Sequence, residues 1–203
     1  MRRTTPLSAH WGFDRGTPVD RFFIERFLER HSGDVTGRVL EVGDDRYTRR
    51  YGHDVTVSDV LDVDTRPGVT VVGDLGAPET LPDGQYDCLI LTQTLQYIFD
   101  PEAGVASVAR LLAPGGVVLA TVPTLGRMDE TGGVERDFWR FTPTSAQRLF
   151  EGAFGDRLEV EAHGNVLLAS AFLFGLAAEE LKERELVEND PLFPLIVTIR
   201  ARR

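Results

Sequence analysis

Apolar positions along this 203-residue chain switch repeatedly between two spacings, and the switching sets the architecture. In "TPVDRFFIERFLERH", Val19, Phe22, Phe23, Phe27 and Leu28 recur at helical intervals. Thr17 stands where a cap belongs and Pro18 where the first turn opens, a place at which proline forfeits no intrahelical hydrogen bond. "RVLEV" at 38–42 reads as a first strand, "HDVTVS" at 53–58 as a second, "GVTVVG" at 68–73 as a third and "YDCLILT" at 86–92 as a fourth. A helix follows in "DPEAGVASVARLLAPGG" at 100–116, capped by Asp100, opened by Pro101 and ended by Pro114-Gly115-Gly116. "GVVLATVP" is the fifth strand and "TPTSAQRLFEGAF" a second capped helix. "RLEVEAHG" and "LFPLIVTIRA" are strands six and seven, flanking a long helix expected over about 165–187. Apolar strands separated by amphipathic helices predict a doubly wound α/β fold, its largely parallel sheet covered on both faces. The connection between strands two and three is short for a crossover, so only a stunted helix is expected there.

Composition narrows the class of partner. A net charge of −10 disfavours nucleic acid, which needs a basic surface to displace counterions. The arginines of the first few residues have no apolar run behind them, so no secretory signal is read there. The longest apolar stretch, at 166–178, is too short to span a bilayer. Its first reading is core packing, its second a homodimer seam or a lipid contact. The single cysteine, Cys88, falls inside the fourth strand and reads as a packing residue. These features fit a cytoplasmic protein of one domain, 1–203, with an N-terminal helix and lid segment at 1–33 and a core at 34–203.

Chemistry is expected where the strands end, because ligands of such sheets sit beyond the carboxyl ends. The first strand runs into "EVGDDRY". A dinucleotide site needs G-x-G-x-x-G, whose second glycine lets backbone approach a pyrophosphate. Here that place holds Asp45, after Asp44, and two carboxylates repel a diphosphate. A sulfonium cofactor with an α-ammonium group reverses the argument. Glu41 can take the ammonium, Asp59 lies at about the spacing of a ribose acceptor, and Asp74 follows strand three within reach of an adenine amino group. Turn and cap roles are the plain alternative for all three.

"VLEVG", "GDL", "LPDGQYDCLILTQTLQYIFDP" and "RLLAPGGVVLATVP" together resemble the successive motifs of class I S-adenosylmethionine-dependent methyltransferases, over roughly 22–154. "DFWRFT" is similar to a segment of small members found among glycan and natural-product biosynthesis genes. The resemblance implies a Rossmann-like seven-stranded sheet in the order 3-2-1-4-5-7-6 with strand seven antiparallel. It also implies S-adenosyl-L-methionine as cofactor and S-adenosyl-L-homocysteine as product. Glu41 and Gly43, with Asp44, would form the loop under the methionine; Asp59 would hold the ribose, Asp74 and Leu75 the adenine, and Thr92 and Gln93 the methyl end. Two departures stand out: only the first glycine of the usual loop is present, and Gln96-Tyr97 replaces a frequent Glu-His.

Methyl transfer to a hydroxyl needs a positioned acceptor and a base. Asp137 and His10 are the candidates for the base. Trp11, Tyr97, Trp139 and Arg140 are the candidates for the acceptor side. An Asp137–Arg140 ion pair bracing the loop is the structural alternative. No cluster has metal-ligand spacing, so no metal is expected. The function expected is therefore methyl transfer to a small molecule, most simply a sugar or natural-product hydroxyl. A non-catalytic cofactor-binding partner of a biosynthetic enzyme, and a nucleotide-dependent oxidoreductase, remain as alternatives.

Overall fold

The computed structural model describes residues 3–130 and 133–203, apart from the Pro78 side chain. Seven strands form one sheet in the order β3-β2-β1-β4-β5-β7-β6. They are β1 (Gly37–Val42), β2 (Val55–Asp62), β3 (Val71–Val72), β4 (Tyr86–Thr92), β5 (Leu112–Pro123), β6 (Leu158–His163) and β7 (Ile196–Arg202). All neighbours pair in parallel except β7, which runs antiparallel to both β5 and β6. Strand order reverses between β1 and β4, the switch point at which such folds bind ligands.

Two apolar layers sandwich the sheet. On one face α3 (Pro101–Leu111) and α4 (Pro143–Phe154) cover Leu40, Leu89, Leu91, Val118 and Ile199. On the other, α1 (Val19–Arg30), α2 (Arg46–Tyr51) and α5 (Val166–Phe174) cover Val39, Ile90, Val117 and Leu119. Alternation along each strand thus feeds both layers. Local chemistry sets two helix starts as read. Asp100 accepts from the Ala103 amide, and Thr142 and Ser145 form a reciprocal capping box on α4.

Four expectations need correction. Thr17 does not cap α1; Pro18 occupies that place, and the Thr17 amide instead donates to Glu179. The β2–β3 connection contains only turns, without even a stunted helix. β5 begins at Leu112, ahead of the Pro-Gly-Gly, because Leu112 already pairs with Tyr86. The long helix is broken: α5 ends at Gly175, which is left-handed at φ +72 and packed against Ser8. After it come a 3₁₀ turn at Ala178–Glu180 and the short α6 (Glu183–Val187).

One side of α5 is core, through Leu168, Ala171 and Phe172, while Val166, Leu167 and Leu173 on its outer side are exposed. Cys88 is fully buried, and burial pushes its thiol far up. No described helix is long and apolar enough to cross a membrane. Among the described residues no group of three or more His, Cys, Asp or Glu could hold a metal.

Candidate functional site

The loop leaving β1 is built from inside. Glu41, buried at its end, accepts from the Tyr47 amide at 3.1 Å, the Thr48 amide at 2.7 Å and the Thr48 hydroxyl at 2.8 Å. It therefore ties α2 to the sheet. Burial pushes its carboxyl from 4.5 up to about 7, outweighing the three donors that oppose the shift. The folded state consequently holds this proton more tightly than the unfolded chain. Stability should fall by on the order of 1–3 kcal/mol as the pH rises from about 4.5 to about 7, then level off. Urea titrations across that range should show the slope in the parent and its loss in Glu41→Gln. An unchanged slope in the variant would assign the dependence elsewhere.

Gly43 has φ +92, and a β-carbon placed on it would meet no atom within 4 Å. Its amide donates to the Leu61 carbonyl, which holds the turn against the end of β2. The turn therefore leaves an open seat at the switch point, as a bound adenosyl amino acid requires. Asp44 turns back on its own chain, accepting from the Arg46 amide at 3.0 Å and its guanidinium at 2.6 Å. Asp45 pairs with Arg49 at 2.7 Å. Both acids are thus paired within the loop and α2.

Asp59 is not beyond strand two but inside it, three residues before its end. Its carboxylate accepts from Arg38 at 2.8 and 3.0 Å, from the Thr70 hydroxyl at 2.9 Å and from the Tyr86 hydroxyl at 3.3 Å. Asp62 occupies the carboxyl end of β2 instead, next to the Gly43 turn and paired with Arg66, which also donates to the Gly43 carbonyl. Asp74 is exposed after β3 and accepts from the Gly76 amide at 2.7 Å, while Leu75 is buried in the core. Thr92 closes β4. Gln93 follows at φ +49, its amide bonded to the Thr121 carbonyl at 3.0 Å.

A cavity of about 240 Å³ opens beyond β4 and β5. Trp11, Asp20, Arg21, Gln93, Gln96 and Tyr97 line it, with Asp137 and Arg140 on its far side. Asp137 is no base. Arg140 grips both its oxygens and the Asp129 amide donates at 3.0 Å, so its carboxyl is held below the usual range. The bracing alternative is the observed one. His10 is exposed and outside the cavity wall. Trp139 also lies outside it, donating to the Ile98 and Phe99 carbonyls. Trp11 is in the wall, with the Arg127 guanidinium 4.7 Å from its ring, and Tyr97 donates to Asp129 at 2.9 Å.

Sequence reasoning missed Asp62, Asp20 and Gln96. Asp62 was in view within "SDVLDVD" but needed the strand end to be located. Asp20 lies in the first turn of α1; burial pushes its carboxyl up, and among the described residues it accepts only from the Arg21 amide. Gln96 is buried with its Nε2 on the Gln93 carbonyl at 2.9 Å, and its Oε1 has no partner.

A seven-stranded sheet of this order, with an open glycine turn and acids at successive strand ends, defines the class I methyltransferase architecture. Residues 32–120 match the family model described as a methyltransferase domain. No curated protein sequence matches the chain. Among solved structures, an S-adenosylmethionine-dependent methyltransferase from Archaeoglobus fulgidus is similar at 13% identity and TM-score 0.57, over 90% of this chain and 94% of that one. Another from Mesorhizobium loti aligns at 17% identity and TM-score 0.56, over 95% and 100%. The N-methyltransferase NodS from Bradyrhizobium japonicum, solved with S-adenosyl-L-homocysteine, aligns at 14% identity and TM-score 0.57, over 98% and 94%. Likeness at this identity establishes the fold. With the matched segment, this fold supports S-adenosylmethionine-dependent methyl transfer, with S-adenosyl-L-methionine as donor and S-adenosyl-L-homocysteine as product.

Proposed function

We propose that the protein methylates a hydroxyl of a small molecule, a sugar or a natural product. The observation that carries this reading is the 240 Å³ cavity at the ends of β4 and β5, lined in part by Gln96, whose buried Oε1 has no partner among the described residues. Such a space suits a small acceptor, and a buried amide oxygen without a donor favours a ligand that brings an O–H or N–H.

In this reading Gly43 seats the methionine moiety, Asp62 takes the ribose hydroxyls, Asp74 the adenine amino group, and Thr92 with Gln93 flanks the methyl end. The cofactor supplies an electrophilic methyl group on a sulfonium. Gln96 and Tyr97 orient the acceptor, and Trp11 helps to exclude water. Asp20, raised by burial and not ion-paired, takes the hydroxyl proton. The N-terminal segment serves as the lid, since its Leu7 amide is bonded to the Phe174 carbonyl at 2.7 Å and Trp11 closes the cavity.

The test is incubation of the protein and methyl-labelled cofactor with an extract separated by size. Label should enter the low-mass fraction as an alkali-stable ether, and Asp20→Asn should slow its transfer by about 10²–10⁴-fold. Label in protein or nucleic acid would overturn the acceptor class.

A further inference from the structure

We propose that Arg21 is the counterion of the α-carboxylate of the methyl donor. This rests on the donor site described above and adds a residue from the N-terminal helix to it.

The need arises from the loop. Asp45 stands in the place of the second usual glycine, and the turn carries Asp44, Asp45 and the buried Glu41 with no cation left over among the described residues. An α-carboxylate brought to such a turn requires a cation, and the nearest ones are spent. Arg46 is held by Asp44 at 2.6 Å and Arg49 by Asp45 at 2.7 Å. Across the cavity, Arg127 is paired with Glu130 at 3.0 Å, and Arg140 with Asp137.

Arg21 differs from all four. It lines the cavity together with Gln93, yet no carboxylate among the described residues lies within ion-pair distance of it. The hydrogen bond seen from its guanidinium runs from Nη1 to the Tyr47 hydroxyl at 2.7 Å. Tyr47 is the residue whose amide rests on Glu41, so this bond places the first turn of α1 against the β1 loop. The Phe13 ring, 5.9 Å from the guanidinium carbon, supports the side chain from the other side. Nε and Nη2 remain for a carboxylate, in the fork geometry that binds one through two parallel hydrogen bonds.

The test compares two ligands that differ at the amino-acid end. S-adenosyl-L-homocysteine carries the α-carboxylate; 5′-methylthioadenosine keeps the nucleoside and thioether and lacks it. By calorimetry, Arg21→Gln should weaken S-adenosyl-L-homocysteine about 10–100-fold and leave 5′-methylthioadenosine within about twofold. Arg21→Lys, which keeps the charge and loses the fork, should lie between, and it carries the same comparison if the glutamine variant does not fold. Undiminished S-adenosyl-L-homocysteine binding in either variant, or equal losses for both ligands, would overturn the assignment. Failure of the parent protein to bind S-adenosyl-L-homocysteine would instead remove the donor site itself, and the assignment with it.

Discussion

Arg140→Ala is expected to destabilise the protein by about 3 kcal/mol or more, because it strands a buried carboxylate. The Asp137 side chain is only 2% exposed, and Arg140 reaches both of its oxygens, one at 2.8 Å. Arg140 also donates to the carbonyls of Arg127 and Trp139, so a single side chain ties together the loops before and after 133–136. Once it is truncated, Asp137 keeps only the Asp129 amide as a donor among the described residues. The remaining charge must be hydrated by local opening or neutralised by a proton. In the parent, Arg140 depresses the Asp137 pKa, so this contribution is present above the unfolded carboxylate range and is lost as the pH falls through the folded value. The stability gap between parent and variant should therefore narrow in acid. Urea unfolding at neutral and acid pH measures both effects. Removing both partners, as in Asp137→Ala with Arg140→Ala, should cost less than the sum of the single changes. A loss below about 1 kcal/mol for Arg140→Ala would mean that the loop is braced by other contacts.

Elements governed by local chemistry were legible, and those governed by tertiary contact were not. α3 and α4 announce themselves through Asp100-Pro101 and Thr142-Pro143, whose caps need no distant partner. The break after α5 is different. Gly175 could have been a tolerated helical glycine, and what makes it a stop is the Ser8 backbone lying where a side chain would go. The same distinction separates the site residues. Glu41 and Gly43 sit where the strand-turn pattern puts them, and the Asp137–Arg140 pair was visible from its spacing. Asp20 reads as an ordinary first-turn acid until the fold places it in the cavity wall. Its surroundings include Gln93, Gln96 and Tyr97, which no local pattern around Asp20 shows.

The largest consequence of that distinction concerns the second strand, where Asp59→Ala and Asp62→Ala should have opposite signatures. Asp59→Ala should cost about 2–4 kcal/mol of stability while cofactor affinity, measured where the variant is folded, stays within about twofold. Its carboxylate joins Arg38 in β1, Thr70 before β3 and Tyr86 in β4, and Tyr86 is fully buried. Deletion leaves the Tyr86 hydroxyl and the Arg38 guanidinium, itself 5.1 Å from the Tyr86 ring centre, without their shared acceptor. At about 3.3 Å per residue, Asp59 is also about 10 Å short of the strand end where the ligand must lie. Asp62 is at that end. Asp62→Ala should cost under about 1 kcal/mol, because the Arg66 pair it removes is partly exposed, with the Asp62 side chain 19% accessible. It should weaken S-adenosyl-L-homocysteine about 10–100-fold if two ribose hydroxyls donate to this carboxylate. Thermal unfolding with and without ligand separates the two losses in one experiment, since a ligand's stabilisation grows with the logarithm of its affinity. Lost affinity in Asp59→Ala with unchanged affinity in Asp62→Ala would return the ribose to Asp59, and would require the Arg38 and Tyr86 bonds to open when ligand binds.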